Sequence, residues 1–290
     1  MTVMMPRPSC VALALVAALG CVPSTPSFAQ TPAAPAVSAV ATAVPDIDAQ
    51  LSFLRTAKVV SRRPIGKGVT GALRVTLSDG TRTHDAAFQA VAKESFGADV
   101  PRNLRRPDEM LFVDHYRYNI AAWRLAQLLG LAYMMPATVE RVIGSPGALS
   151  WWVDDVLMDE EERQRSQANP PSGAIGLSQQ YGRMRVFAEL VRDTDRNKGN
   201  VVFTKSWQLV MLDFTRAFRL GKPLMTPSAI SACDRHLLEG LRALSERALT
   251  EAVQDHLTGR EIDAVMARRD LLVGHFDRLI AQRGEAAVLY

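Results

Sequence analysis

The sequence predicts a two-lobed α+β fold: a β-rich first lobe with one helix, followed by a mainly helical second lobe. Three observations predict it. Segments of the first half alternate apolar and polar residues at the period of a strand, and apolar residues of the second half recur at helical spacing. Between them, "SQANPPSGAIG" (166–176) gathers the Pro, Gly, Ser and Asn that break regular elements, which makes it the expected connection between lobe 51–165 and lobe 166–290. With 290 residues, 48% of them hydrophobic and 22% charged, the chain has enough apolar content for a sizeable core and is not of disordered composition.

Residues 1–29 read as an export signal: Arg7, the apolar run "CVALALVAALGCV" and the small-x-small site Ser27-Phe28-Ala29. Cleavage after Ala29 implies a periplasmic or secreted product, with a lipoprotein signal ending at Cys21 as the alternative that Leu19 fits poorly. The run is too short to cross a bilayer, so no membrane span is expected after cleavage. Residues 30–50, "QTPAAPAVSAVATAVPDIDAQ", have the Ala/Pro/Val composition of a flexible linker, which places the start of the domain near Leu51. Loss of Cys10 and Cys21 with the signal leaves Cys233 alone, so no internal disulfide is expected.

Within the first lobe, "AKVVSRRPI", "ALRVTLSDG" and "HDAAFQAV" read as three strands, with Leu73, Val75 and Leu77 alternating in the second. Ile120, Trp123, Leu125, Leu128 and Leu129 predict a helix over 116–129 that Gly130 closes. Residues 137–157 read as a hairpin turning at Gly144-Ser145-Pro146-Gly147. In the second lobe, Tyr181, Met184, Phe187, Leu190 and Val191 mark a helix, "VVF" and "QLVML" two short strands, and Thr258 with Glu261 a capping box opening a long helix. Trp151-Trp152 reads as packing, Asp154-Asp155 as a solvated pair where a hinge begins, and "DEEERQR" (159–165) as an exposed helical face.

Several functions are disfavoured. The net charge is +4 with both signs interspersed, and the basic run "RNLRR" has no interleaved aromatics, so no nucleic-acid partner is expected. The five histidines lack zinc-site spacing, and no Gly-x-Ser-x-Gly elbow is present. What remains is "VRDTDRNKGNVVFTKSWQLVMLDFTRAF" (191–218), where Asp195, Asn200 and Asp213 stand in or beside short apolar runs. Asp195 and Asn200 share a glycine-containing loop, and Asp213 ends a strand. Phosphoryl transfer needs a carboxylate to orient the attacking group, and an amide oxygen with a second carboxylate to hold a divalent cation against phosphates. Turn formation and capping are the ordinary roles of these residue types taken singly. "GKGVTG" (66–71) adds a glycine-rich loop between two strands, whose backbone N–H groups can approach phosphate closely.

Together "RVFAELVRDTDRNKGNVVF", "LVMLDFTRAF" and "NIAAWRLAQLLGLAYMMPATVERV" resemble the atypical secretory kinases typified by the Golgi casein kinase. They are similar, more distantly, to HipA-type and phosphatidylinositol kinases; the likeness spans roughly 54–285 in motif order. The resemblance implies a protein-kinase-like fold in which Asp195 is the catalytic acid and Asn200 and Asp213 hold Mg²⁺ or Mn²⁺. Gly66, Lys67, Gly68 and Gly71 would cover the phosphates of ATP or a related nucleotide, the acceptor would be a hydroxyl of a protein or small molecule, and Arg216 and Phe218 would have structural roles. Two positions depart from the family pattern. Where its nucleotide-contacting lysine and that lysine's acidic helix partner are expected, this chain has Gln89 and Asn119. Exchanging both members avoids leaving one charge buried alone, which makes Gln89 and Asn119 a matched neutral pair; an alignment shifted by a few residues instead lets Lys93 or Lys67 supply the positive charge. The alternative is a pseudokinase, a nucleotide- or metal-binding scaffold without catalysis.

Overall fold

A computed structural model describes residues 46–66, 71–102 and 111–290. The expected signal peptide and almost all of the linker lie outside these residues. The first described element is a helix that the linker composition had hidden. Asp46 caps α1 (Ile47–Thr56) by accepting from Ala49 N at 3.0 Å, and Leu51, Phe53 and Leu54 are buried on its inner face. At its other end Arg141 donates to the carbonyls of Leu54 (2.7 Å) and Ala57 (2.5 Å), satisfying groups that a helix C-terminus leaves unpaired.

Strands β1 (Lys58–Pro64), β2 (Leu73–Ser78), β3 (Thr83–Gln89), β6 (Thr138–Val142) and β7 (Pro146–Trp151) form an antiparallel sheet in the order β1-β2-β3-β7-β6. The alternation read in the sequence is the one observed: Val75 and Leu77 of β2 and Ala86 and Phe88 of β3 are buried. Strands β4 (Ala92–Phe96) and β5 (Leu111–His115) pair separately and lead into α2 (Arg117–Leu128), the helix expected over 116–129. Tyr118, Ile120, Trp123 and Leu125 of α2 lie in the core.

The connection between the lobes falls earlier than 166–176. β8 (Val156–Asp159) leaves the first sheet and pairs with β9 (Val201–Thr204), which pairs with β10 (Leu209–Met211). Residues 152–155 therefore connect the two sheets. Asp154 and Asp155 are both exposed; Asp154 is hydrogen-bonded to His84 Nε2 (2.6 Å) and Asp155 is ion-paired with Lys205. The Pro/Gly-rich segment is instead a loop of the second lobe between α3 (Glu160–Ser166) and α4 (Leu177–Leu190). Local composition identified a break correctly but could not tell which partner the preceding strand would choose.

Beyond β10 follow α5 (Arg235–Ala243), α6 (Glu246–Val253) and α7 (Gly259–Arg283). The Thr258–Glu261 capping box forms as read, and Glu261 does more than cap. It also accepts from Tyr118 Oη and, at 3.1 Å, from Arg117 Nη2, so the first turn of α2 is fastened to the first turn of α7. One hydrophobic core runs through both lobes, including Trp123, Phe187, Phe203, Phe214 and Phe276. Among the described residues no helix is long and apolar enough to cross a membrane, and Cys233 is a buried free thiol.

Candidate functional site

The loop after α4 is built around a buried carboxylate. Arg192 adopts a left-handed backbone (φ 46°), which turns the chain out of the helix. Asp193 Oδ1 then accepts from Asp195 N (3.0 Å), and its Oδ2 accepts from Arg196 Nε (2.8 Å). The Arg196 guanidinium reaches on to the carbonyls of Asn200 (2.9 Å), Leu212 (2.5 Å) and Asp213 (3.1 Å), and lies 4.1 Å over the Phe214 ring. One side chain thus joins the loop to the exit of β10. Leu212 N donates to Asn200 O (2.9 Å) and Asn200 Nδ2 to Asp195 O (3.0 Å), so Asp195, Asn200 and the start of the Asp213 segment are linked by direct hydrogen bonds.

Two acids stand near one another in this loop, and burial separates their roles. The Asp193 side chain is 0% exposed and committed to Arg196, whereas that of Asp195 is 36% exposed. Asp195 Oδ2 accepts from Arg216 Nη1 (3.1 Å), and Arg216 Nε donates to Asp114 Oδ2 (2.9 Å), a carboxylate only 5% exposed. Burial opposes the Arg216 charge, but Asp114 first, then Asp195 and Asp213, outweigh it and raise its pKa above the ordinary value. The Arg216 carbonyl also accepts from Thr194 Oγ1 (3.1 Å), so Arg216 holds the loop through backbone and side chain together.

Asp213 is held from both lobes. Its backbone is left-handed (φ 52°), an uncommon conformation for a residue with a Cβ that recurs at functional sites. Oδ1 accepts from Thr215 N (3.1 Å) and Thr215 Oγ1 (2.8 Å); Oδ2 accepts from Gln89 Nε2 (3.1 Å) at the end of β3. Gln89 Oε1 in turn accepts from Asn119 Nδ2 (2.6 Å) on α2, and Asn119 Oδ1 accepts from Phe214 N (2.7 Å). Gln89 and Asn119 therefore bond to each other, Gln89 also to the Asp213 carboxylate and Asn119 to the peptide that follows it.

The structure brings together five of the nine residues singled out from sequence: Asp195, Asn200, Asp213, Gln89 and Asn119. Lys67 and Gly68 lie outside the described residues. Gly66 and Gly71 flank the β1–β2 connection, whose base closes by Ile65 N donating to Ala72 O (2.9 Å). Gly71 has φ +68°, which favours glycine, but a Cβ at either glycine would meet nothing within 4 Å. Lys93 stands exposed on β4. Sequence reasoning missed Asp193, Asp114 and Thr215, and gave Arg216 only a structural part. The two-residue spacing of Asp193 and Asp195 was the available signal, since an aspartate often bonds the backbone N–H two positions on.

Among the described residues no three His, Cys, Asp or Glu side chains group as a metal cage. What the site offers is one carboxylate and one amide from adjoining ends of the β9–β10 hairpin. This hard-oxygen set suits Mg²⁺ or Mn²⁺ with substrate oxygens and water completing the coordination.

The fold that carries this arrangement is a kinase fold of the Fam20 type. The Golgi casein kinase superposes with a TM-score of 0.59 at 15% identity, over 84% of this chain and 78% of that one. The same kinase with Mn/ADP bound gives 0.58 at 15% identity with the same coverage. Hydra Fam20 with sugar gives 0.61 at 16% identity, over 84% of this chain and 92% of that one. No protein-family model and no curated protein sequence matches the chain. At such identities the likeness establishes fold, and chemistry must be argued from the side chains.

Proposed function

We propose that the protein is an exported, metal-dependent phosphotransferase that moves the γ-phosphoryl group of ATP or a related nucleotide to a hydroxyl of a protein or small molecule. The observation that carries this reading is the hydrogen-bonded grouping of Asp195, Asn200 and Asp213 at one end of the β9–β10 hairpin, in a kinase fold. Asn200 and Asp213 would hold Mg²⁺ or Mn²⁺, which when bound supplies charge neutralisation at the phosphates. The part-exposed Asp195 carboxylate would orient the acceptor hydroxyl. As the acceptor oxygen bonds to the γ-phosphorus, the bond from phosphorus to the β–γ bridging oxygen breaks, the nucleoside diphosphate leaves, and the hydroxyl proton passes to Asp195. Gly66, Lys67, Gly68 and Gly71 would cover the phosphates, and the export signal at 1–29 would place the reaction outside the cytoplasm.

A second reading, a pseudokinase that binds nucleotide and metal as a scaffold, is favoured by one observation: Gln89 and Asn119, where the resemblance expects the family's lysine and acid, are neutral amides bonded to each other. Two measurements separate the readings. A rise in Tm on titrating Mg·ATP or Mn·ATP is expected for both, because a ligand that binds only the folded state stabilises it; no shift with any nucleotide would remove both. Nucleoside-diphosphate release by wild type that falls by about a hundredfold or more in Asp195→Ala supports transfer, whereas equal rates in the two proteins would remove Asp195 from the mechanism.

A further inference from the structure

The Gln89–Asn119 contact has a direction that the chemistry of its members dictates. A backbone N–H can only donate, so Phe214 N obliges Asn119 to present Oδ1 to it (2.7 Å). That leaves Asn119 Nδ2 to donate to Gln89, which must accept through Oε1 (2.6 Å) and so must turn Nε2 toward Asp213 Oδ2 (3.1 Å). Neither amide can flip without setting two donors or two acceptors against each other. Because Phe214 follows Asp213, the chain of bonds closes on itself: it begins at the peptide after Asp213 and ends on the Asp213 carboxylate. Asn119 is 5% exposed, so little solvent is available to replace a lost partner.

The ring also sets the charge beside Asp213. An ammonium at position 89 would neutralise Asp213 in part and compete with a cation for it, whereas a carboxamide donates a hydrogen bond and leaves the full negative charge in place. The guanidinium groups nearby are committed elsewhere, Arg196 to Asp193 and three carbonyls, and Arg216 to Asp114 and Asp195.

We propose that Asn119 and Gln89 are positioning residues forming a charge-neutral relay that fixes the Asp213 carboxylate for a divalent cation, and that this cation brings the positive charge on which nucleotide binding depends. The inference rests on the proposed metal role of Asp213. It predicts an order of affinities that a merely structural amide pair would not produce: wild type binds Mn²⁺ alone, and binds ADP at least about tenfold more tightly with Mn²⁺ than without it. Gln89→Lys, which adds a positive charge beside Asp213, weakens Mn²⁺ about tenfold or more while strengthening metal-free ADP. Asn119→Leu, which removes the donor to Gln89 and the acceptor for Phe214 N without adding charge, weakens Mn²⁺ without the gain for ADP.

The test is calorimetric and Mn²⁺ electron-resonance titration of the full chain and these variants with Mn²⁺, ADP and both, with Asp213→Ala as reference. Loss of Mn²⁺ binding in Asp213→Ala together with opposite shifts of Mn²⁺ and ADP in Gln89→Lys supports the relay. If Asp213→Ala loses Mn²⁺ but Gln89→Lys leaves its affinity unchanged, the relay is wrong and the metal reading stands. If Asp213→Ala binds Mn²⁺ as wild type does, the metal reading falls first. Wild type that takes up metal-free ADP as tightly as Mn·ADP overturns the dependence on the cation.

Discussion

Two parts of the candidate site are held by opposite means. Around the loop bearing Asp195 and Asn200 the anchors are charges: Asp193 with Arg196, and Arg216 between Asp195 and Asp114 of β5. Around the Asp213 carboxylate the support from β3 and α2 is two carboxamides joined in a ring to Asp213 and Phe214. A buried ion pair is costly to break because the survivor is left uncompensated in a medium that solvates it poorly. A buried amide that loses its partner forfeits a hydrogen bond and leaves a neutral dipole, at smaller cost. The loop bearing Asp195 and Asn200 is thus fixed by interactions that fail abruptly, and the support from β3 and α2 by interactions that fail gently. Deep changes to the charged clasp should therefore threaten the fold, while changes to the amide ring should alter ligand binding in a molecule that still folds.

The largest effect is expected at Arg196. Its replacement by Met leaves the fully buried Asp193 carboxylate without its partner and takes a donor from the carbonyls of Asn200, Leu212 and Asp213. Urea unfolding should show a loss of about 3–5 kcal/mol. The double variant Asp193→Asn/Arg196→Met should regain part of it, since no charge is then stranded. A single variant as stable as wild type would break the contrast between charged and neutral anchors.

A smaller effect is expected where β7 crosses β3. A Cβ on Gly147 would stand 2.6 Å from Gln89 O and 2.5 Å from the Phe88 ring, so Gly147→Ala must push the end of β3 aside. Overpacking of this kind costs about 1–3 kcal/mol. Because the displaced residue is Gln89, Mn²⁺ affinity should fall with it. Gly182→Ala, where the obstruction is the Tyr290 hydroxyl in the second lobe, serves as the control and should leave Mn²⁺ affinity unchanged. Equal losses of metal affinity in both variants would show that general destabilisation, and not the position of Gln89, is being measured.

The part of this site that was legible in the sequence is the part built locally. Asp195 and Asn200 are five positions apart in one loop, and Asp213 follows a short strand whose partner is the strand just before it, so their convergence needs only a hairpin. The same holds for the Thr258–Glu261 capping box and for α2, whose apolar period matches the burial of Ile120, Trp123 and Leu125. Asp114 was invisible because its partner, Arg216, is far along the chain, and nothing in "FVDHY" marks the aspartate as paired. The choice of β9 by β8 was invisible for the same reason: strand propensity says that a segment extends, not which edge it joins. Helix α1 was hidden by its neighbour. Its start signals, Asp46 as cap and Leu51, Phe53 and Leu54 on one face, directly follow an Ala/Pro/Val tract whose composition carried the linker reading to residue 50. That Gln89 and Asn119 form a matched pair followed from the cost of a lone buried charge, but their bond to Asp213 and Phe214 needed coordinates.

The smallest predicted effect asks whether the charges of the clasp or groups outside it make the fold sensitive to acid. His256 and His115 both have pKa values below the ordinary histidine value, through burial first and then the positive charge of Arg124 for His256 and of Arg117 for His115. Each therefore takes up a proton at lower pH in the folded protein than in the unfolded chain. Below about pH 6.5 the unfolded state binds more protons than the native state, so stability should fall as the pH drops through that value toward the folded pKa, and should be fully retained above it. His256→Leu removes one of the two sites, and the dependence of Tm on pH between about 7 and 5.5 should flatten by a measurable part. The Asp193→Asn/Arg196→Met double variant should keep the wild-type slope in that range. A slope that vanishes in the double variant and persists in His256→Leu would move acid sensitivity into the clasp and end the assignment to the histidines flanking α2.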